Sequence, residues 1–130
     1  FGHPSLPKTL YKFTPVSREG AASPKLKDKT CYGWNLHGTT EEVLDKVDGR
    51  VNLQWLLEAY RLFPDKKNFF ISPKSGKDED YFFNKLVGNS TLMTQIKAGA
   101  TEDEIRASWE PGLKKFCEIR SKYLFYPDFE

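Results

Sequence analysis

The sequence predicts an α+β domain, with a small mixed or antiparallel sheet packed against a helical layer and helices dominating the C-terminal half. Three observations support this. Two short alternating runs, TLYKFT at 9–14 and CYGWNL at 31–36, lie in the first third of the chain. Stretches with apolar residues three and four apart fill most of the remainder. The strands do not alternate regularly with helices, which argues against a doubly wound sheet. With 130 residues, the chain suits a single domain over 1–130 that can bury a core without metals or disulfide staples.

In chain order, residues 1–8 hold two prolines and a glycine and read as an arm laid over a surface. The 9–14 strand places Tyr11 and Phe13 on one face and stops at Pro15. Residues 16–30 form a polar loop of a length uncommon in compact domains unless functional. The 31–36 strand carries Tyr32, Trp34 and Leu36 on one face, and Gly33 marks a bulge or a close backbone neighbour. Thr39, Thr40, Glu41 and Glu42 open a short helix through Val43, Leu44 and Val47 that stops at Asp48-Gly49. Asn52 caps a firm helix with stripe Leu53, Leu56, Leu57, Tyr60 and Phe63, and Val51 is placed to staple against Leu56. NFFIS at 68–72 reads as a third strand or a buried connection. YFFNKL at 81–86 reads as a short helix ending near Gly88. Asn89 or Ser90 caps the next, with Leu92, Met93 and Ile96 inward and Gly99 at its end. Thr101 and Glu104 then form a capping box. Ser108 and Pro111 suggest a second start, giving a short helix at 102–107, a bend, and a longer helix at 109–122. Its stripe is Ile105, Trp109, Leu113, Phe116, Cys117 and Tyr123, with Trp109 a core anchor at the bend.

Composition removes several function classes. Net charge is +2 with acids and bases interleaved, unlike the concentrated basic face of a nucleic-acid binder. No apolar run approaches a membrane span, and no signal peptide is visible. Cys31 and Cys117 are open to two readings, a disulfide or two separate thiols. No Cys/His spacing suggests a metal, and no motif suggests a cofactor. The chain opens on Phe1 and its one Met is Met93, so an upstream portion is expected.

No phosphate loop, nucleophile elbow or zinc-protease helix is present. The long loop is the best substrate-facing segment, because Arg18 and Glu19 stand beside Gly20 and Ala21, which allow close approach. The plain alternative is a solvated charged pair. His3, before Pro4, is most simply a loop residue.

The order of GHPSLPKT, YKFTP, EGA, CYGWNL, GRVNLQWLLEAYRLFPDKKNFF, FFNKLVGN and EIRASWEPGLKKFCEIRSKYLFYP resembles the C-terminal domain of the exo-β-N-acetylmuramidase (NamZ-type) family. These segments cover nearly the whole chain. The resemblance implies a parent enzyme that removes terminal N-acetylmuramic acid from the non-reducing end of peptidoglycan fragments. It implies a Rossmann-like N-terminal domain as partner, with the active site where the two domains meet. This chain would then supply one wall of the cleft and would not be catalytic alone. Arg18, Glu19, Tyr32 and His3 are the residues expected to line the sugar site, with Arg18 pairing bidentately with the lactyl carboxylate. The catalytic carboxylates remain unassigned. The resemblance also implies export to the periplasm or cell surface. The alternatives are a non-catalytic carbohydrate-binding module and a purely structural domain. An apolar patch is expected where the partner domain docks.

Overall fold

A computed structural model describes residues 1–127; residues 128–130 lie outside the described residues. Three short strands, β1 (Gly2–His3), β2 (Tyr11–Phe13) and β3 (Cys31–Gly33), form an antiparallel sheet in the order β1-β3-β2. Five helices follow: α1 (Thr40–Val47), α2 (Gln54–Leu62), α3 (Phe82–Val87), α4 (Thr91–Ala98) and α5 (Glu102–Arg120). The architecture is α+β, with the C-terminal half helical.

The first correction concerns residues 1–8, which are more than an arm or linker laid over a surface. Their start is an edge strand, with Gly2 opposite Gly33 and His3 opposite Tyr32. Trp34 N–H also donates to Phe1 O at 2.9 Å, which extends the pairing by one residue. Two glycines face each other because the backbones nearly touch. A Cβ on Gly33 would lie 2.0 Å from Phe1 O, and one on Gly2 would lie 2.1 Å from Tyr32 O. The glycine that counted toward an arm or linker is therefore what lets the strand close on its neighbour. Behind it, Leu6 is buried.

Of the two readings of NFFIS, the buried connection holds. Lys66–Asn68 form a single 3₁₀ turn, and no strand follows. Asn68 N–H donates to Asp65 O, and Asn68 Nδ2 donates to Asp65 Oδ2 at 2.7 Å, which winds the chain. A strand would send Phe69 and Phe70 to opposite faces. Instead their rings lie 5.0 Å apart, and Phe70 also meets Tyr60 and Phe83.

The main core joins α2, this aromatic turn, α4 and the start of α5. Leu53, Phe70, Leu92, Met93, Ile96 and Ile105 are buried together, with Leu56, Leu57, Tyr60 and Trp109 packed around them. Thr39 and Thr101 cap α1 and α5, whereas the N-cap residues of α2 and α4, Leu53 and Ser90, make no side-chain cap and leave Asn52 and Asn89 just ahead of them to bond the first turn. Thr39 with Glu42 and Thr101 with Glu104 form complete capping boxes. Asn52 Oδ1 accepts from Gln54 N–H, and Asn89 Oδ1 accepts from Leu92 N–H. Gly88 and Gly99 end α3 and α4 in the left-handed conformation that glycine takes without strain. Val51 stands 66% exposed, so the expected staple with Leu56 buries little.

The second correction is α5, one helix and not two. Pro111 lies inside it, where it has no N–H for the carbonyl of exposed Ala107. Ser108 does not cap a second start. Its Oγ donates to Ile105 O at 2.6 Å and accepts from Gln95 Nε2 at 3.0 Å, tying α5 to α4. The apolar stripe is buried at Ile105, half-buried at Trp109 and Cys117, and exposed at Leu113, Phe116 and Tyr123.

Candidate functional site

Two cavities of ligand size flank α2. The larger, about 700 Å³, is lined by Gln54, Leu57, Glu58, Tyr60, Arg61, Lys66 and the α4–α5 corner at 99–102. Its charged groups already hold the fold together. Glu58 accepts from Trp34 Nε1 at 3.2 Å and faces Arg61 at 3.9 Å. Lys66 Nζ donates to the carbonyls of Tyr60 and Arg61, at the end of α2. Glu102 Oε1 accepts from Arg106 at 2.6 Å and from Leu53 N–H at 3.4 Å, while Arg106 also donates to Val51 O. Partial burial opposes ionisation of Glu102. The Arg106 guanidinium and the Leu53 N–H outweigh it, with help from the charge of Arg50, and hold the carboxyl below its ordinary range. A general acid at neutral pH needs the opposite shift. This cavity is structural in character.

The second cavity, about 530 Å³, opens between β1, the long loop and α2. Phe1, Phe63 and Phe69 supply aromatic faces, and His3, Lys25 and Asn68 supply polar groups. His3 stands edge-on to Phe63 with ring centroids 5.0 Å apart. Its Nδ1 accepts from Ser5 N–H at 3.1 Å, which leaves Nε2 for another partner. Lys25 has no ion-pair partner among the described residues.

The four sequence-predicted site residues fall into two groups. His3 and Tyr32 face each other across β1 and β3, and Lys12 of β2 stands opposite Tyr32 on its other side. Residues directly opposite share a face, so the sheet sets His3, Tyr32 and Lys12 in one row. Arg18 and Glu19 occupy a separate tight turn, closed by paired backbone bonds between Arg18 and Ala21, with Gly20 at φ +77°. Both are exposed and neither lines the cavity. The loop reaches the cavity instead through Lys25 and Leu26, because Asp28 N–H donates to Pro15 O and folds the loop back on itself.

Sequence reasoning missed Lys25 and Asn68. A lone lysine in a polar loop carries no spacing signal, and only the loop's closure brings it to the aromatic wall. Among the described residues, no cluster of three His, Cys, Asp or Glu could hold a metal, and no helix is long and apolar enough to cross a membrane. Cys31 and Cys117 are separate thiols; Cys31 is buried and its Sγ donates to Lys29 O at 3.6 Å.

Comparison with known proteins gives this geometry a setting. The chain is 28% identical over 96 residues to the peptidoglycan β-N-acetylmuramidase NamZ of Bacillus subtilis, covering 74% of this chain and 21% of that protein. It superposes on the crystal structure of a DUF1343 family protein of Bacteroides fragilis with a TM-score of 0.73 and 33% identity, covering 98% of this chain and 33% of the other. The chain thus spans about a fifth to a third of the relatives it matches. The family model for the C-terminal region of exo-β-N-acetylmuramidase NamZ matches residues 4–126, and the chain belongs to that family.

Proposed function

We propose that this chain is one domain of a peptidoglycan-acting exo-β-N-acetylmuramidase and forms one wall of its sugar cleft. The observation that carries the reading is the lining of the 530 Å³ cavity, which holds aromatic faces, a cation and an amide but no carboxylate. Such a wall can bind and orient a sugar. Glycoside hydrolysis also needs an acid and a second carboxylate, about 5–10 Å apart. In this reading those groups come from the Rossmann-like N-terminal domain, and the cavity faces it. Lys25 receives the lactyl carboxylate of muramic acid. Arg18 and Glu19, on their tight turn, approach the same sugar from the rim, and Tyr32 supports His3 from the neighbouring strand. We infer the periplasm or the cell surface as its compartment, because peptidoglycan lies there.

The test uses the full-length polypeptide and a muramyl-terminated peptidoglycan fragment. Release of terminal N-acetylmuramic acid is expected from the full chain and not from residues 1–130. Lys25→Ala and Arg18→Ala should raise KM by roughly tenfold or more with kcat little changed, the loss of one charge-assisted hydrogen bond each. Unchanged KM and kcat in both variants would remove the loop from the site. Tight sugar binding by residues 1–130, with no hydrolysis by the full chain, would favour a binding module.

A further inference from the structure

We propose that the distal half of α5 is the surface on which a companion domain of the same polypeptide docks. This rests on the reading above that the chain is part of a longer enzyme. Leu113, Phe116 and Ile119 continue the stripe that begins at Ile105 and Trp109, and Tyr123 follows beyond the helix end. Ile105 is fully buried, yet Leu113 is 55%, Phe116 59%, Ile119 46% and Tyr123 75% exposed. Large apolar side chains on one stripe make a contiguous patch of the kind that marks an interaction site.

The helix itself argues for a cover. Pro111 and Gly112 sit at its centre, each unfavourable inside a helix. Beyond them no residue of α5 is buried, so packing within this domain does little to hold the distal turns. A short helix without packing is marginal in water. The occupant is set by how much chain the relatives carry. The solved relative matches 98% of this chain with only 33% of its own, so two-thirds of such a polypeptide lies elsewhere and is available to cover the stripe.

The experiment is hydroxyl-radical footprinting of the full-length polypeptide and of residues 1–130. Leu113, Phe116 and Tyr123 should lose most of their reactivity in the full chain and keep it in the fragment at all concentrations. Equal reactivity in both would overturn the proposal. Protection that appears in the fragment as its concentration rises would also overturn it, in favour of a second copy as occupant. Phe116→Glu should leave the fragment's melting temperature nearly unchanged, but split the full chain's melting into two transitions; a single unshifted transition counts against docking. Failure here is separable from failure of the enzymatic reading. Muramic acid release with an unprotected stripe sinks only the docking face, and a protected stripe without release sinks only the activity.

Discussion

The two halves of α5 carry one continuous apolar stripe and meet opposite surroundings. In the proximal half, Ile105 is fully buried against α2 and α4, and Trp109 lies partly covered with the Arg106 guanidinium over its ring at 6.0 Å. In the distal half, the same spacing presents Leu113 and Phe116 to solvent. Periodicity therefore identifies a face that wants cover and is silent on what supplies it. The proximal half is also the electrostatically organised one, with the Thr101–Glu104 capping box and the Glu102–Arg106 clamp on the segment before α2.

The largest test of this contrast is a pair of truncations. Ile105→Ala should destabilise the domain by about 2–5 kcal/mol, because it leaves a cavity in a packed core. Phe116→Ala in the same fragment should change stability by no more than about 0.5 kcal/mol, as an exposed site does. Urea unfolding of residues 1–130 measures both, and comparable losses would abolish the distinction between the halves.

Acid sharpens it further. Burial opposes the charge on Glu102, but Arg106 and the Leu53 N–H hold its carboxyl below the ordinary range, and the Thr101 backbone N–H does the same for Glu104. A carboxylate with a lowered folded pKa contributes stability that is present above its unfolded pKa, about 4.3, and is lost as pH falls through the folded value. Stability should thus fall below about pH 4.5, and Glu102→Gln should flatten that acid limb while lowering stability at neutral pH. An acid limb identical in Glu102→Gln and the parent would remove the clamp from the account.

The smallest effect belongs to the distal half. A Cβ on Gly112 would meet no atom within 4 Å, and its φ is not in the left-handed region. Gly112→Ala should therefore raise helix content and stabilise the fragment by roughly 0.5–1 kcal/mol, through backbone entropy alone. Amide exchange at 112–120 should slow in the variant; unchanged exchange would mean that the distal turns are held by something other than helix propensity.

What was legible beforehand follows the range of each interaction. The capping box at Thr101, the bonds of Asn52 and Asn89 to the first turns of α2 and α4, the terminators Gly88 and Gly99, and the stripes of α2 and α4 all act within one or two turns. Gly33 signalled a close backbone neighbour, and Phe1 O is that neighbour. The edge strand at Gly2–His3 was not visible, because its partner lies about thirty residues away and two residues carry no alternation. NFFIS stayed open between a strand and a buried connection because composition cannot distinguish a buried turn from a buried strand. His3 was identified as a site residue and stands in the cavity wall, whereas Lys25 was invisible until the loop closed through Asp28 and Pro15.

By itself the sequence determined where α1 to α4 begin and end, where α5 begins, which faces are apolar, and that a small sheet precedes a helical half. Those follow from contacts between near neighbours. Only the tertiary structure decided that α5 runs unbroken past Pro111, that the first residues close the sheet, and that a loop lysine meets an aromatic wall. The last two join residues distant in the chain, and the free energy of such a contact depends on everything that brings the two ends together; the first is a local outcome, since no residue of α5 beyond Pro111 is buried.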